Sequence, residues 1–385
     1  MNGATGIVAF MVTLLVMVLF HEFGHFITAR KFGIKVEEFF IGFGPRLISW
    51  WRGETEYGVK AILLGGYVRI AGMNPMQVIP PEELPRTFGA KPAWQRAIVL
   101  FAGSMTHFIL AILLFSTLYW VIGVHDYSRP LTRVEDVTAK VGDAEGPARV
   151  AGIKPGDVIV SISGKPIRSW DDLRDQVRPN AGKELIFEVE RDGRRLQLPV
   201  TPVAAKVPVE ANSDKTETVG QVGVAPSFRL IKESPPQALW HGIRTTGESI
   251  VLSVVGAGRI FSPEGISAVF QELGGEGERD LTEDQPIGLI GGARLAGQAT
   301  SAGDMESLIM FLGIFIVFVG VINLAPLPPL DGGHLLVLAI EKISRRVVDP
   351  RRLIPVAGLV LGFLLILTVA LFYLDLARPL TDPFQ

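Results

Sequence analysis

Apolar residues in this chain are gathered into blocks, not dispersed. Four stretches carry no formal charge: Met1–His21, Ala97–Val124, Ser307–Leu330 and Leu353–Leu374. Each exceeds the roughly 18–20 apolar residues that carry a helix across a hydrocarbon core of about 30 Å. The pattern therefore predicts four membrane-spanning helices, at 1–30, 97–124, 306–331 and 353–376, and excludes a purely soluble protein. The first block has no basic leader and no small-residue cleavage signal after it, so it reads as a retained span and not a signal peptide.

Between the blocks the periodicity changes. Glu38–Trp50 and Tyr57–Ile70 are apolar, aromatic and glycine-rich around a turn at Arg52-Gly53-Glu54, which predicts a small sheet within 31–96. Within it, Leu63-Leu64-Gly65-Gly66-Tyr67-Val68 is apolar enough to dip into a bilayer. From about 131 to 203 the pattern is a compact β-rich domain. Lys154-Pro155-Gly156-Asp157 turns into a short strand, Ser169 caps a short helix with Leu173 and Val177 on one face, and Asp192-Gly193 sits between two alternating runs as a hairpin turn. Gly152, Ile153 and Gly156 are edge or turn positions there. Residues 202–217 read as a linker, 204–305 as linker plus external amphipathic helices (one over Pro236–Phe261), and 332–352 as a short segment between the last two spans.

Charge orients the spans. Ten Lys or Arg lie between Arg30 and Arg96 and five between Lys342 and Arg352, whereas the ends of the chain are almost free of them. Basic segments stay cytoplasmic. Both termini and the long region from His125 to Met305 are then expected outside. A net charge of −2 gives no reason to expect nucleic acid, and the absence of cysteine removes thiolate metal sites and disulfides.

Candidate chemistry lies where the blocks end. His21-Glu22-Phe23-Gly24-His25 closes the first: on a helix, positions i and i+4 share a face, so both imidazoles can reach one zinc ion and Glu22 can act as general base on water there. Ionisable groups within a span are usually functional. Catalytic zinc usually has three protein ligands, and the third candidate is Asp331, the first acid after the third block, in Asn323-Leu324-Ala325-Pro326-Leu327-Pro328-Pro329-Leu330-Asp331-Gly332-Gly333-His334. The first and third spans run in the same direction, which brings their inner ends to similar depth. The alternative for Asp331 is a turn acid that ends a helix, and His334 is a weaker alternative ligand.

These features together resemble the site-2 proteases, intramembrane zinc metalloproteases of the M50 type. The resemblance rests on HExxH ending the first span, the Asn-Leu-x-Pro-x-x-x-Leu-Asp-Gly-Gly block ending the third, and the β-rich domain between them, which looks like a single PDZ domain of the RseP-like bacterial branch. The implied fold is a polytopic α-helical membrane protein with four transmembrane helices, a re-entrant cytoplasmic β element and one external PDZ-like α/β domain. The implied site is His21, His25 and Asp331 on zinc (Zn2+), with Glu22 activating water, Asn323 holding substrate backbone or oxyanion and Pro326 shaping the turn. Gly65, Gly66, Tyr67 and Val68 would form the element that receives an unwound substrate as an added strand, unless that hairpin is simply structural.

The implied activity is cleavage of transmembrane segments in regulated intramembrane proteolysis, with single-span partners of anti-sigma-factor type and remnants of signal peptides as substrates, in the cytoplasmic (inner) membrane of a bacterium. The PDZ-like domain would bind a peptide or exclude bulky ectodomains. One element departs from the family pattern: the second span reads Gly103-Ser104-Met105-Thr106-His107 where an Asn is common at the last position. His107 either hydrogen-bonds near the zinc site or satisfies a neighbouring helix. Two other classes compete: a catalytically inactive PDZ adaptor, which would not need Glu22 between two helically spaced histidines, and a transporter, which would show internal repeats that this chain lacks.

Overall fold

A computed structural model describes residues 3–74, 77–142, 144–208, 216–275, 287–346, 348–349 and 353–379. The chain divides into two units, residues 123–232 and the remainder.

The larger unit begins with α1 (Gly3–Lys31), which carries HExxH in its last three turns. Two long strands follow, β1 (Val36–Arg52) and β2 (Thr55–Ile70). Both bend. Residues 36–41 pair on one side with 66–70 and on the other with 56–59, while 46–52 close the far edge against 55–60. Residues 66–70 are thus an outer edge of the sheet, next to α1. Helix α2 (Ala93–Thr117) runs on into one π-helical turn.

Among its described residues the smaller unit holds the short α-helices α3 (Pro147–Val150) and α4 (Trp170–Val177). In α4, Ser169 accepts from the Asp172 N–H, and the Asp172 carboxylate accepts in return from the Ser169 N–H. This reciprocal cap explains why the helix starts there. Residues 185–191 and 194–200 form a hairpin beside 158–162 and 165–166, in the order 194–200, 185–191, 158–162, 165–166. Its core is Ile159, Ile162, Leu173, Val177, Phe187, Val189 and Val200. A separate strand, Val224–Pro226, pairs with Val134–Val137.

Residues 202–217 are not simply the linker that the sequence suggests. Val203–Pro208 pairs antiparallel with Thr216–Gln221, and Val219 is buried. Pro202 and Pro208 bound a run too short to show its alternation in sequence. The residues between them and the second strand, 209–215, lie outside those described.

The larger unit resumes with α5 (Pro235–Ile260), α6 (Pro263–Glu272), α7 (Leu289–Ala302), α8 (Met305–Asn323), α9 (Asp331–Ser344) and α10 (Leu353–Ala377). α7 packs along the N-terminal half of α1, with Phe10 buried against Ala296 and Ala299. That contact was not part of the reading of 204–305 as linker and external helices.

α1, α2 with its π turn, α8 and α10 are long and apolar enough to cross a membrane. On α10, Leu359, Leu361, Leu365 and Val369 are all exposed. A helix that is apolar all round suits lipid and not water. The third apolar block departs from one continuous span over 306–331, because the helix stops at Asn323 and a new one starts at Asp331. Pro326, Pro328 and Pro329 have no N–H to continue the ladder. Much of 332–352 is accordingly helical.

Candidate metal centre

His21 and His25 project from one face of α1. Asp331 opens the first turn of α9, after the proline-rich turn, with Leu330 as N-cap. A carboxylate is stabilised at a helix N-terminus by the unpaired N–H groups and the helix dipole. Gly332 allows this approach, since a Cβ there would lie 2.0 Å from the Leu324 carbonyl oxygen.

Three atoms converge. His25 Nε2 lies 3.1 Å from His21 Nε2, and Asp331 Oδ2 lies 3.3 Å from each of them. Among the described residues, this is the group of histidine and acidic side chains placed to share a metal ion. His334 is not in it. Tetrahedral zinc with ligands at about 2.0–2.1 Å sets its donor atoms about 3.3–3.4 Å apart. The two spacings to Asp331 match that figure, and the 3.1 Å between the two imidazole nitrogens is slightly shorter. Asp331 Oδ2 is buried without a hydrogen-bond partner among the described residues. A buried carboxylate oxygen left unpaired is costly. With their protons on Nδ1, the two imidazoles facing it would each offer an Nε2 lone pair to a cation held among the three atoms. The donor set therefore fits zinc.

Outer contacts hold the rings. His25 Nδ1 donates to the Val99 carbonyl oxygen at 2.7 Å. His21 Nδ1 lies 3.0 Å from His107 Nε2 on α2. Such contacts by the second ring nitrogen set tautomer and orientation in metal sites. α2 comes this close because of Gly103: a Cβ there would lie 2.3 Å from His25 Nε2 and 2.7 Å from His21 Cε1.

The Glu22 carboxylate accepts from the Val68 N–H at 2.9 Å, on the outer edge of the sheet. Gly66 sits beside it, where a Cβ would lie 3.8 Å from Glu22 Cγ. Gly65 lines a groove of about 940 Å³ along Ile7, Met11 and Val18 of α1, faced across by Arg294 and Gln298 of α7. Tyr67 turns away. Its hydroxyl donates to Glu38 and its ring stacks on Phe40 at 5.8 Å. Asn323 is the last residue of α8, and Pro326 lies in the turn beyond, lining an apolar cavity of about 580 Å³ with Phe108, Val321 and Phe363.

Sequence reasoning missed Val99, Arg294 and Gln298. Val99 acts through a carbonyl that every residue has, and α7 is too short and small-residue-rich to register as a span. A Gly- and Ala-rich run at 291–299 was the available signal for close packing on α1.

The profile of peptidase family M50 matches residues 9–371. The chain is 33% identical over 410 aligned residues to the zinc metalloprotease Rip1 of Mycobacterium tuberculosis, covering 99% of each chain. It is 33% identical over 400 aligned residues to the metalloprotease MmpA of Caulobacter vibrioides, covering 95% of this chain and 93% of that one.

Proposed function

This chain belongs to peptidase family M50, the site-2 proteases, and on that premise we propose that it hydrolyses a peptide bond within the membrane-spanning segment of its substrate. It is a zinc metalloprotease and a multi-pass membrane protein that acts on membrane proteins. The observation that carries the proposal is the convergence of His21 Nε2, His25 Nε2 and Asp331 Oδ2 within 3.1–3.3 Å of one another.

His21, His25 and Asp331 hold the metal. Zinc, when bound, polarises the scissile carbonyl and raises the acidity of water. Glu22 takes a proton from the attacking water and passes it to the leaving amide nitrogen. Asn323 holds the substrate backbone or the oxyanion, and Pro326 shapes the turn that presents Asp331. A peptide bond in an intact helix is shielded, so the substrate has to be unwound. The outer edge at Gly65–Val68 is suited to take it as an added strand. The groove along α1 supports the same reading, because it leads to Gly65.

The β1–β2 sheet serves as a re-entrant element, which the exposure of Leu47, Ile48, Trp50 and Trp51 supports. The domain at 131–203 is PDZ-like and lies with both termini outside the cytoplasm of a bacterial cell, across its inner membrane. Substrates are single-span proteins, of which anti-sigma factors and signal-peptide remnants are the proposed classes, the first placing the enzyme in regulated intramembrane proteolysis.

Two experiments test this. Purified enzyme in proteoliposomes with a single-span substrate is expected to give products whose new ends lie inside the spanning segment, and cuts confined to the soluble flanks would sink the proposal. The chain has no cysteine, so single cysteines report topology directly. In intact cells with the outer membrane permeabilised, Lys183→Cys is expected to react with an impermeant maleimide and Glu82→Cys is not. The reverse pattern would invert the topology.

A further inference from the structure

His107 is 2% exposed, and its Nε2 lies 3.0 Å from Nδ1 of His21. The His21 atom that faces Asp331 is the other one, Nε2. A neutral imidazole carries one proton, on one nitrogen or the other. For His21 Nε2 to offer a lone pair to a metal, the proton must sit on Nδ1, where His107 Nε2 is its acceptor. His107 then carries its own proton on Nδ1. The opposite arrangement, with His107 Nε2–H donating, would force the His21 proton onto Nε2 and point it into the ligand cluster. His25 has no such choice, because its Nδ1 faces a carbonyl that only accepts.

We propose that His107 is a positioning residue for the metal centre: it holds His21 in the one tautomer and ring orientation that can bind zinc. Two observations separate this from a residue that merely satisfies a neighbouring helix. His107 Nδ1 is buried with no hydrogen-bond partner among the described residues, so its polar contact is spent on His21 alone. α8 also leaves room for the side chain, because Gly320 sits where a Cβ would come within 2.9 Å of His107 Cβ. The ring is seated for that contact, and nothing else among the described residues bonds it.

The proposal rests on His21 being a zinc ligand, and the test separates the two. Zinc affinity of the purified full-length protein is measured by chelator competition for wild type, His107→Leu and His107→Gln. Gln places an acceptor oxygen about as far from Cβ as Nε2, whereas Leu fills the space without one. His107→Leu is expected to weaken zinc binding by about 10–100-fold, the usual cost of losing an outer hydrogen bond to a metal ligand, and His107→Gln is expected to stay near wild type. Equal affinity in Leu and wild type, or equal loss in Leu and Gln, overturns the proposal. A wild type that holds no zinc at His21 would overturn the ligand assignment instead. A second measurement needs no variant: 15N spectra of the six histidines in the zinc-loaded protein are expected to show His107 protonated on Nδ1 and bare on Nε2, and a protonated Nε2 contradicts it.

Discussion

The Glu22 carboxylate accepts a 2.9 Å hydrogen bond from the backbone N–H of Val68. The catalytic base proposed here is thereby tied to the strand edge proposed to receive the substrate. Val68 pairs with Phe39 across the sheet, but this N–H points away from that partner and toward α1.

That relationship predicts the effect of Val68→Pro. Proline removes the donor, and an outer edge tolerates it because no ladder bond is lost on that side. A hydrogen bond to a charged group contributes about 1.5–3 kcal/mol, so kcat should fall roughly 10–100-fold with zinc content unchanged. Steady-state kinetics with metal analysis checks this. Unchanged kcat would mean that Val68 does not position Glu22.

Gly103→Ala tests the packing of α2 on the ligands. The added methyl would stand 2.3 Å from His25 Nε2, and that ring is already fixed at 2.7 Å by the Val99 carbonyl. Overpacking of this kind costs about 1–3 kcal/mol, which a domain survives, but the ring must move. The variant is expected to fold and to purify with less than stoichiometric zinc. Full zinc occupancy would show that α2 can withdraw without disturbing the site.

In the smaller unit, Asp157 is fully buried and bonded at 2.7 Å to both Nε and Nη2 of Arg191, and at 2.9 Å to the Lys154 N–H. Burial pushes its carboxyl upward, but the Arg191 and Lys154 bonds outweigh that and leave it below the usual range. A depressed folded-state value stabilises fully above the unfolded value of about 3.9 and is lost as pH falls through the folded one. Protection of amides 158–162 and 185–191 from hydrogen exchange should be flat near neutrality and decline below about pH 4. Asp157→Asn should cost about 1.5–3 kcal/mol at neutral pH and flatten the acid dependence. An unchanged acid decline in that variant would place its origin elsewhere.

Much of this was legible in the sequence, for physical reasons. Uncharged runs of more than twenty residues have few alternatives to spanning a membrane, and His21, Glu22 and His25 carry their geometry in their spacing. Asp192-Gly193 and Ser169 announced a turn and a cap through local chemistry. Contacts between elements were not legible. Whether Val99 or His107 meets the ligands depends on which turns of α1 and α2 face each other, and that is settled by Gly103 and its neighbours in three dimensions. The break at Asn323 has its cause in three prolines inside the span read over 306–331, and the helix beginning at Asp331 lay in a stretch read only as a connection between the last two spans. α7 lacks the length that makes a span visible, so the groove it forms with α1 appeared only in the fold.

The proposed hydrolysis depends most on Glu22 as the base at a zinc site built from His21, His25 and Asp331. Its most direct test is Glu22→Gln in the purified enzyme with a transmembrane substrate. Glutamine keeps the size and can still accept from Val68, but it cannot take a proton. Zinc should remain stoichiometric while the cleavage rate falls by at least about 10²–10⁴-fold, the usual contribution of a general base. Cleavage at a rate close to wild type would contradict the mechanism.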